Sequence, residues 1–151
     1  MPDLILEPVL EPDPNKMEEA YEVVEDIQTK KGDAVIKVPK FFQFDGASIP
    51  SPAWQLVGTP FTPRLMKASV FHDWTYHTHQ IKKSDADDLF YDLLIRDGVG
   101  KTRAWLMYEA VSSFGASYWD NDEDDKAYIK RLTARIKKDG RDPAQYGIKA
   151  A

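Results

Sequence analysis

Apolar and polar residues alternate in two short stretches near the start of the chain. One stretch covers residues 21–28 and the other covers residues 34–38, with Lys30-Lys31-Gly32-Asp33 between them. Alternation places every second side chain on one face of a strand, and a short connection that contains glycine suits a tight turn. The pattern therefore predicts a β-hairpin. The apolar residues expected to hold it together are Val23, Ile27, Val35 and Ile36.

After residue 62, apolar residues recur every three to four positions, which is typical of helices. Thr62 and Pro63 suit a cap and a first helical turn, and Gly140 suits a helix end. Ser84, with Asp87 three positions later, resembles a capping box at the start of another helix. Four helices are predicted, over residues 63–79, 84–97, 102–114 and 123–138.

The third predicted helix is especially rich in apolar residues. Their density and spacing are typical of packing residues rather than of a ligand site. The residues expected in the core are Trp105, Met107, Tyr108, Val111 and Phe114. The sequence as a whole predicts an α+β fold, with an N-terminal β-hairpin or small antiparallel sheet followed by a bundle of about four helices.

Proline and glycine indicate how the chain is divided. Residues 1–19 contain four prolines among acidic residues, which favours an extended arm or an edge strand. Residues 20–140 are predicted to form a single α+β domain, and residues 141–151 a C-terminal tail. Within the domain, residues 41–60 are expected to form a long structured loop. Its expected aromatic anchors are Phe42, Phe44 and Trp54.

Composition narrows the chemistry. The 151 residues include no cysteine, which excludes disulfides, thiolate nucleophiles and thiolate metal ligands. The formal net charge of -5 gives no general attraction to phosphate backbones, so nucleic acid is not an expected partner. The chain starts without the basic and apolar regions of a signal peptide, and no apolar run is long enough for a transmembrane segment.

One histidine and its acidic neighbours are the best candidates for chemistry. The helix over residues 63–79 is apolar nearly all round, so His72 is expected to be buried. Asp87 shares the apolar face of the next helix, and we expect it to hold Nδ1 of the imidazole and leave the other nitrogen as a base. Asp73 lies about 100° further round the helix and would hold a hard cation. In the long loop, the Asp45 carboxylate and the Ser48 hydroxyl are capable of joining a cation site or an oxyanion pocket.

Several spaced motifs resemble a phage- and prophage-associated family of unassigned function. They cover about residues 20–118 and comprise Val38-Pro39, Phe44-Asp45-Gly46-Ala47-Ser48-Ile49-Pro50, His72-Asp73-x-x-Tyr76, Ala86-Asp87-x-x-Phe90 and Met107-Tyr108. This resemblance implies a phage-associated protein of the host cytoplasm or the virion, with phage structural proteins as its partners.

The motifs around His72 and Asp87 are also similar to the phospholipase A2 superfamily, whose members hydrolyse phospholipid esters with calcium. This similarity implies that His72 is the catalytic base for water and that Asp87 and Tyr76 orient it. It further implies calcium as a cofactor, with Asp73 and Asp45 as metal ligands. A phospholipid or another ester would be the substrate.

Other interpretations stay open. In a non-enzymatic virion component or assembly factor, the same residues would form a buried polar network, and the arm would grip neighbouring subunits. An inhibitor of a host protein would use the acidic surface to occupy a basic site. A serine hydrolase is disfavoured because no nucleophile-elbow pattern surrounds Ser48. Zinc is disfavoured because only His72 and His79 share a helix face, and calcium at residues 120–125 because the sixth position is not glycine.

Overall fold

Short antiparallel strands come first along the chain and helices follow, in a computed structural model that describes residues 4–8, 21–44, 63–120 and 122–149. The strands are β1 (Leu6–Pro8), β2 (Tyr21–Val23), β3 (Ile27–Lys31), β4 (Ala34–Val38) and β5 (Gln43–Phe44). The helices are α1 (Pro63–Thr78), α2 (Lys83–Arg96), α3 (Lys101–Phe114), α4 (Ala116–Trp119) and α5 (Asp122–Lys138), and a 3-10 helix covers Pro143–Tyr146. The predicted α+β fold class is confirmed.

The chain divides into two compact units. Unit 1 comprises residues 1–45 and 123–151, and unit 2 comprises residues 46–122. The strands, nearly all of α5 and the 3-10 helix belong to unit 1, whereas α1 to α4 belong to unit 2. Within the stretches that the structure describes, no helix has the length and apolarity to cross a membrane. The boundaries predicted for the arm, the domain and the tail stay predictions.

β3 and β4 form a hairpin, as predicted. They pair antiparallel, with Ile27 opposite Val38, and the turn between them contains Gly32 at a φ of 59°. That left-handed value costs glycine little, because it has no Cβ. Ile36 is buried, but Val35 is 42% exposed. The expectation that Val35 helps to hold the hairpin is therefore wrong, because its side chain lies on the outer face of β4.

The first alternating stretch forms two strands rather than one. β2 ends at Val23 and β3 begins at Ile27. The chain bends between them, and the Asp26 carboxylate accepts a hydrogen bond from the backbone N–H of Lys40 at 2.7 Å. β2 instead lies in the middle of a second sheet, of order β1-β2-β5, with both neighbours antiparallel. Part of the predicted arm is thus an edge strand, where proline is tolerated.

The predicted loop falls only partly within the described residues. Phe42 and Phe44, two of its expected anchors, are buried in unit 1. The third anchor, Trp54, lies in residues 45–62, outside the part of the chain that the structure describes. The two described anchors therefore belong to the core beside β5.

The predicted C-terminal tail contributes to the core of unit 1. Tyr146 is buried, and its hydroxyl donates to Asp26 Oδ2 at 2.8 Å. Arg141 Nη1 donates to Asp26 Oδ1 at 2.5 Å. Burial raises the pKa of Asp26, but hydrogen bonds from Lys40, Tyr146 and Arg141 outweigh it and hold that pKa below its ordinary value. One carboxylate thus joins the start of the hairpin to the end of the chain.

α5 is amphipathic and packs within unit 1. Leu132 and Ile136, four positions apart, are buried on its inner face. Arg135 forms an ion pair with Glu22 of β2, with 2.9 Å between Nη1 and Oε1. The helix that follows unit 2 in sequence is therefore attached to a strand that precedes unit 2.

The helices of unit 2 begin close to their predicted positions. α1 begins at Pro63, as expected. α2 begins at Lys83, one residue earlier than predicted, and Lys82 occupies the N-cap position without a side-chain hydrogen bond. The predicted capping box is wrong because Asp87 turns inward to His72 instead of back to the helix start.

The core residues predicted on α3 are only partly buried. Met107 and Val111 are buried, whereas Trp105 is 52% and Phe114 is 66% exposed. Trp105 lies on the opposite side of the helix from Met107, and Phe114 is the last helical residue. Their assignment to the core is therefore wrong. Gly115 separates α3 from α4, a short helix that the sequence did not predict.

We expect Tyr146→Phe to weaken unit 1, because it removes only the hydroxyl that bonds Asp26. The loss should be about 1 kcal/mol of unfolding free energy, seen as about fivefold faster exchange of the β3 and β4 amide hydrogens. Because the folded pKa of Asp26 is lowered, this contribution is complete above about pH 4 and disappears as the pH falls through the folded pKa. Tyr118→Phe, at an exposed tyrosine of unit 2, is the control. Equal effects of the two changes would contradict the role of the Tyr146 hydroxyl.

Candidate functional site

His72 lies within α1, a helix that is buried on nearly every side. Its side chain is 0% exposed, and its ring centroid lies 4.2 Å from that of Tyr76 and 4.9 Å from that of Phe90. A buried imidazole needs a hydrogen-bond partner. Nε2 has one in Asp87 of α2, whose Oδ1 lies 2.7 Å away.

Asp87 is the residue on which the polar groups of the site converge. The Tyr76 hydroxyl donates to the same Oδ1 at 2.7 Å. Lys83 Nζ donates to Oδ2 at 2.8 Å, and Ser112 Oγ lies 3.5 Å from Oδ2. The structure thus brings together the three residues predicted as a catalytic group, His72, Tyr76 and Asp87. It adds Lys83 and Ser112 to them.

Helical spacing explains why these side chains meet. His72 and Tyr76 are four residues apart on α1, and Lys83 and Asp87 are four residues apart on α2, so each pair shares one face of its helix. The two helices pack directly against each other. The inward face of α1 therefore lies against the inward face of α2, and the polar side chains on them satisfy one another.

Burial and hydrogen bonding set the protonation states of the site. Burial and the nearby Lys83 ammonium together lower the pKa of His72 by more than the Asp87 carboxylate raises it. Burial raises the pKa of Asp87, but hydrogen bonds from His72, Lys83 and Tyr76 outweigh it, and that pKa stays below its ordinary value. Burial and the hydrogen bond to Asp87 raise the pKa of Tyr76. At neutral pH the site therefore contains a neutral imidazole, a carboxylate and a protonated phenol.

The neutral ring of His72 carries its proton on Nε2, because the Asp87 carboxylate beside that nitrogen only accepts hydrogen bonds. Nδ1 is then the basic nitrogen. The sequence led us to expect the opposite assignment, with Asp87 at Nδ1, and that expectation is wrong. Asp87 belongs to the neighbouring helix and meets the far edge of the ring, where Nε2 lies.

Of the two predicted calcium ligands, the structure describes only Asp73. Asp73 follows His72 on α1 and is buried. Asp45 lies outside the described residues. Among the residues that the structure does describe, no group of three His, Asp or Glu side chains could hold a metal ion. This part of the chain therefore contains one predicted ligand but not a complete metal site.

Of the other residues singled out in the sequence, the structure describes His79, which lies apart from the carboxylate of Asp87. His79 Nε2 lies 2.8 Å from the Trp119 carbonyl oxygen, and the two rings stack with their centroids 3.9 Å apart. That contact attaches the end of α1 to α4 and leaves His79 in a packing role. Ser48 and the side chains of residues 121–125 lie outside the description.

Sequence reasoning did not identify Lys83, Ser112 or Gly115 as parts of this cluster. The available signal for Lys83 was its position four residues before Asp87. For Gly115 it was the occurrence of a glycine directly after an apolar helix. A Cβ at Gly115 would clash with the Val111 carbonyl oxygen and would lie 2.6 Å from the hydroxyl oxygen of Tyr76. Gly115 therefore leaves the space that Tyr76 occupies when it bonds Asp87.

Comparison with known proteins assigns the chain to a family. It belongs to the family described as a protein of unknown function, DUF1353, whose model matches residues 21–111. It is similar to two uncharacterized proteins of Sinorhizobium fredii strain NGR234, y4jT and y4iH, with 37% identity over 81 and 71 residues respectively. These alignments cover 54% and 47% of this chain, but 24% and 30% of the relatives' own lengths. No solved structure matches the chain.

Gly115→Ser should disturb the site through packing alone. Its Cβ would clash with the Val111 carbonyl oxygen at the end of α3 and with the Tyr76 hydroxyl, so α4 must shift and Tyr76 must move away from Asp87, at a cost of about 1–3 kcal/mol. Thermal unfolding followed by tryptophan fluorescence measures the loss. Gly100→Ser is the matched control, because a Cβ there meets nothing within 4 Å and serine suits an N-cap. Equal melting temperatures for the two variants would show that Gly115 is not needed for this contact.

Proposed function

We propose that this protein hydrolyses an ester, either a phospholipid or another ester, with His72 as the general base. The main support is the convergence of His72 Nε2 and the Tyr76 hydroxyl on Asp87 Oδ1, each at 2.7 Å. This geometry agrees with the roles that the resemblance to the phospholipase A2 superfamily implies for the three residues. A carboxylate that orients a neutral imidazole is the arrangement that a general base requires.

Proton transfer is the step that His72 would supply. A water molecule beside Nδ1 gives a proton to the ring as its oxygen attacks the carbonyl carbon of the ester. Asp87 stabilises the resulting imidazolium by accepting its Nε2–H, and Tyr76 holds the carboxylate in place. The imidazolium then returns the proton to the departing alkoxide as the bond to the alcohol breaks. The products are an acid and an alcohol, and the base is restored.

Calcium enters this proposal through the resemblance and through Asp73. The buried Asp73 carboxylate follows directly after the base, and Asp45 is the second proposed ligand. Calcium takes about six to eight oxygen ligands. The described residues hold no group of three His, Asp or Glu side chains for a metal, so they do not by themselves fit a calcium site. The proton transfer above therefore uses His72, Asp87 and Tyr76 alone.

A second candidate function follows from the burial of the cluster. The His72 and Asp87 side chains are 0% and 2% exposed, whereas a general base must reach water. In this alternative the cluster is a polar network that keeps the core in one arrangement, within a non-enzymatic phage virion component or assembly factor. The phage association, and with it a place in the host cytoplasm or the virion, is proposed from the motif resemblance.

Hydrolysis should depend on the His72 ring. We expect the purified protein to release fatty acid from phospholipid vesicles, or acid from a soluble short-chain ester. His72→Gln should lower the rate by about 10²-fold or more, since that is the usual contribution of a general base. His77→Gln, on the same helix and partly exposed, is the matched control. Tyr76→Phe removes one hydrogen bond to Asp87 and should cost about tenfold.

The outcome separates the two candidates. Equal rates for the wild type and His72→Gln would contradict the assignment of the base, with folding of each variant checked by circular dichroism. If the wild type cleaves neither substrate with or without calcium, ester hydrolysis is contradicted. A lower melting temperature of His72→Gln in that case would support the structural network.

Calcium at millimolar concentration should raise the melting temperature, because a ligand that binds only the folded state stabilises that state. Asp73→Asn should abolish the shift. Asp120→Asn is the matched control, since it tests the exposed start of the acidic run instead. A shift that persists in Asp73→Asn but disappears in Asp120→Asn would assign the cation to that run. The absence of any shift in the wild type would remove calcium from the proposal.

A further inference from the structure

Lys83 links the buried cluster to the surface. Its side chain is 25% exposed, whereas that of Asp87 is 2% exposed. Lys83 Nζ lies 2.8 Å from Asp87 Oδ2, 3.2 Å from the Ser112 carbonyl oxygen and 3.4 Å from the Val111 carbonyl oxygen. An ammonium group has three hydrogens to donate, and these three oxygens provide an acceptor for each of them.

The two oxygens of Asp87 therefore have different partners. Oδ1 accepts hydrogen bonds from His72 and Tyr76, whereas Oδ2 accepts a short one from Lys83 Nζ at 2.8 Å and a long one from Ser112 Oγ at 3.5 Å. The terminal torsion of an aspartate side chain is soft, so a carboxylate that is held at one oxygen alone can rotate. A donor on Oδ2 opposes that rotation and keeps Oδ1 directed at the imidazole.

The end of α3 holds Lys83 in turn. The Val111 and Ser112 carbonyls belong to the last turn of α3, where the helix dipole is negative and favours a cation. Nζ also lies 5.9 Å from the centroid of the Tyr76 ring, within the range of a cation–π contact. Lys83 is thus held by a helix end, a carboxylate and an aromatic face.

We propose that Lys83 is a positioning residue, which fixes the Asp87 carboxylate so that Oδ1 faces His72 and Tyr76. Its effect on catalysis rests on the proposed hydrolase function, but its effect on the orientation of Asp87 does not. If Lys83 only neutralised the buried charge of Asp87, any positive charge near the carboxylate would serve. A hydrogen-bond donor at Oδ2 would then not be required.

The ring proton on His72 Nε2 reports this orientation directly. Labelling with nitrogen-15 histidine makes the hydrogen-bonded proton visible by NMR, and His72→Gln assigns it. Lys83→Met keeps the aliphatic stem and removes the donor. We expect it to shift the resonance upfield and to make exchange with solvent about tenfold faster. Lys83→Gln keeps a neutral donor and should retain most of the wild-type shift, and the exposed Lys82→Met should change nothing.

Two results would overturn the inference. One is an unchanged resonance in Lys83→Met, with folding verified by circular dichroism. The other is a change in Lys83→Gln as large as that in Lys83→Met, because charge rather than placement would then be what matters. If Lys83→Met does not fold, the test uses Lys83→Gln, with Lys82→Met as the control. A His72 ring-proton resonance retained in Lys83→Gln supports the inference, and loss of that resonance overturns it.

The same variants keep this inference separate from the proposed function. Where the protein hydrolyses an ester, Lys83→Met should lower kcat about tenfold and leave KM nearly unchanged, because Lys83 acts through Asp87. An NMR response without any hydrolysis would support the positioning role and contradict the hydrolase. Hydrolysis that needs His72, with no NMR response in Lys83→Met, would support the hydrolase and contradict the positioning role.

Discussion

Asp87 carries a carboxylate into the interior of unit 2, and the packing of the surrounding helices depends on satisfying it. Removing a charge from water costs several kcal/mol unless hydrogen bonds and an opposite charge compensate. The compensating groups come from α1, from α2 itself and from α3, through Tyr76, Lys83 and Ser112 among others. These helices cannot slide past one another without leaving the carboxylate unsatisfied. Gly115 also helps to satisfy Asp87, because the absence of a side chain there leaves room for the Tyr76 hydroxyl.

The sequence could predict those parts of the site that depend on helical spacing. The burial of His72 and its pairing with Asp87 follow from apolar faces that repeat every three to four residues, whereas the role of Tyr76 was implied by the resemblance to the phospholipase A2 superfamily. The contact of Lys83 could not be predicted, because the direction of each lysine near a helix start depends on where the helix begins, and α2 begins one residue earlier than its predicted position. Which imidazole nitrogen meets Asp87 depends on the rotation of the ring, on which the spacing of residues has no bearing.

In the fold, too, local sequence patterns predict individual elements, whereas contacts between residues far apart in the sequence cannot be predicted from them. The hairpin and the four long helices follow from local patterns, although alternation alone placed Val35 on the wrong face. The contact of Asp26 with Tyr146 joins residues 120 positions apart. No local pattern indicates such a pair, so the contact of the C-terminal segment with the core of unit 1 could not be predicted from the sequence.

The division of unit 1 between the two ends of the sequence has a consequence for the order of folding. In unit 2, the hydrogen bond between His72 and Asp87 spans 15 positions, whereas in unit 1 the contact between Asp26 and Arg141 spans 115. Local contacts form quickly, and distant ones must first overcome the entropy of closing a long loop. During synthesis, α1 to α3 can assemble while the C-terminal segment is still absent. The strands of unit 1 must wait for residues 141–146 to leave the ribosome before their core is complete.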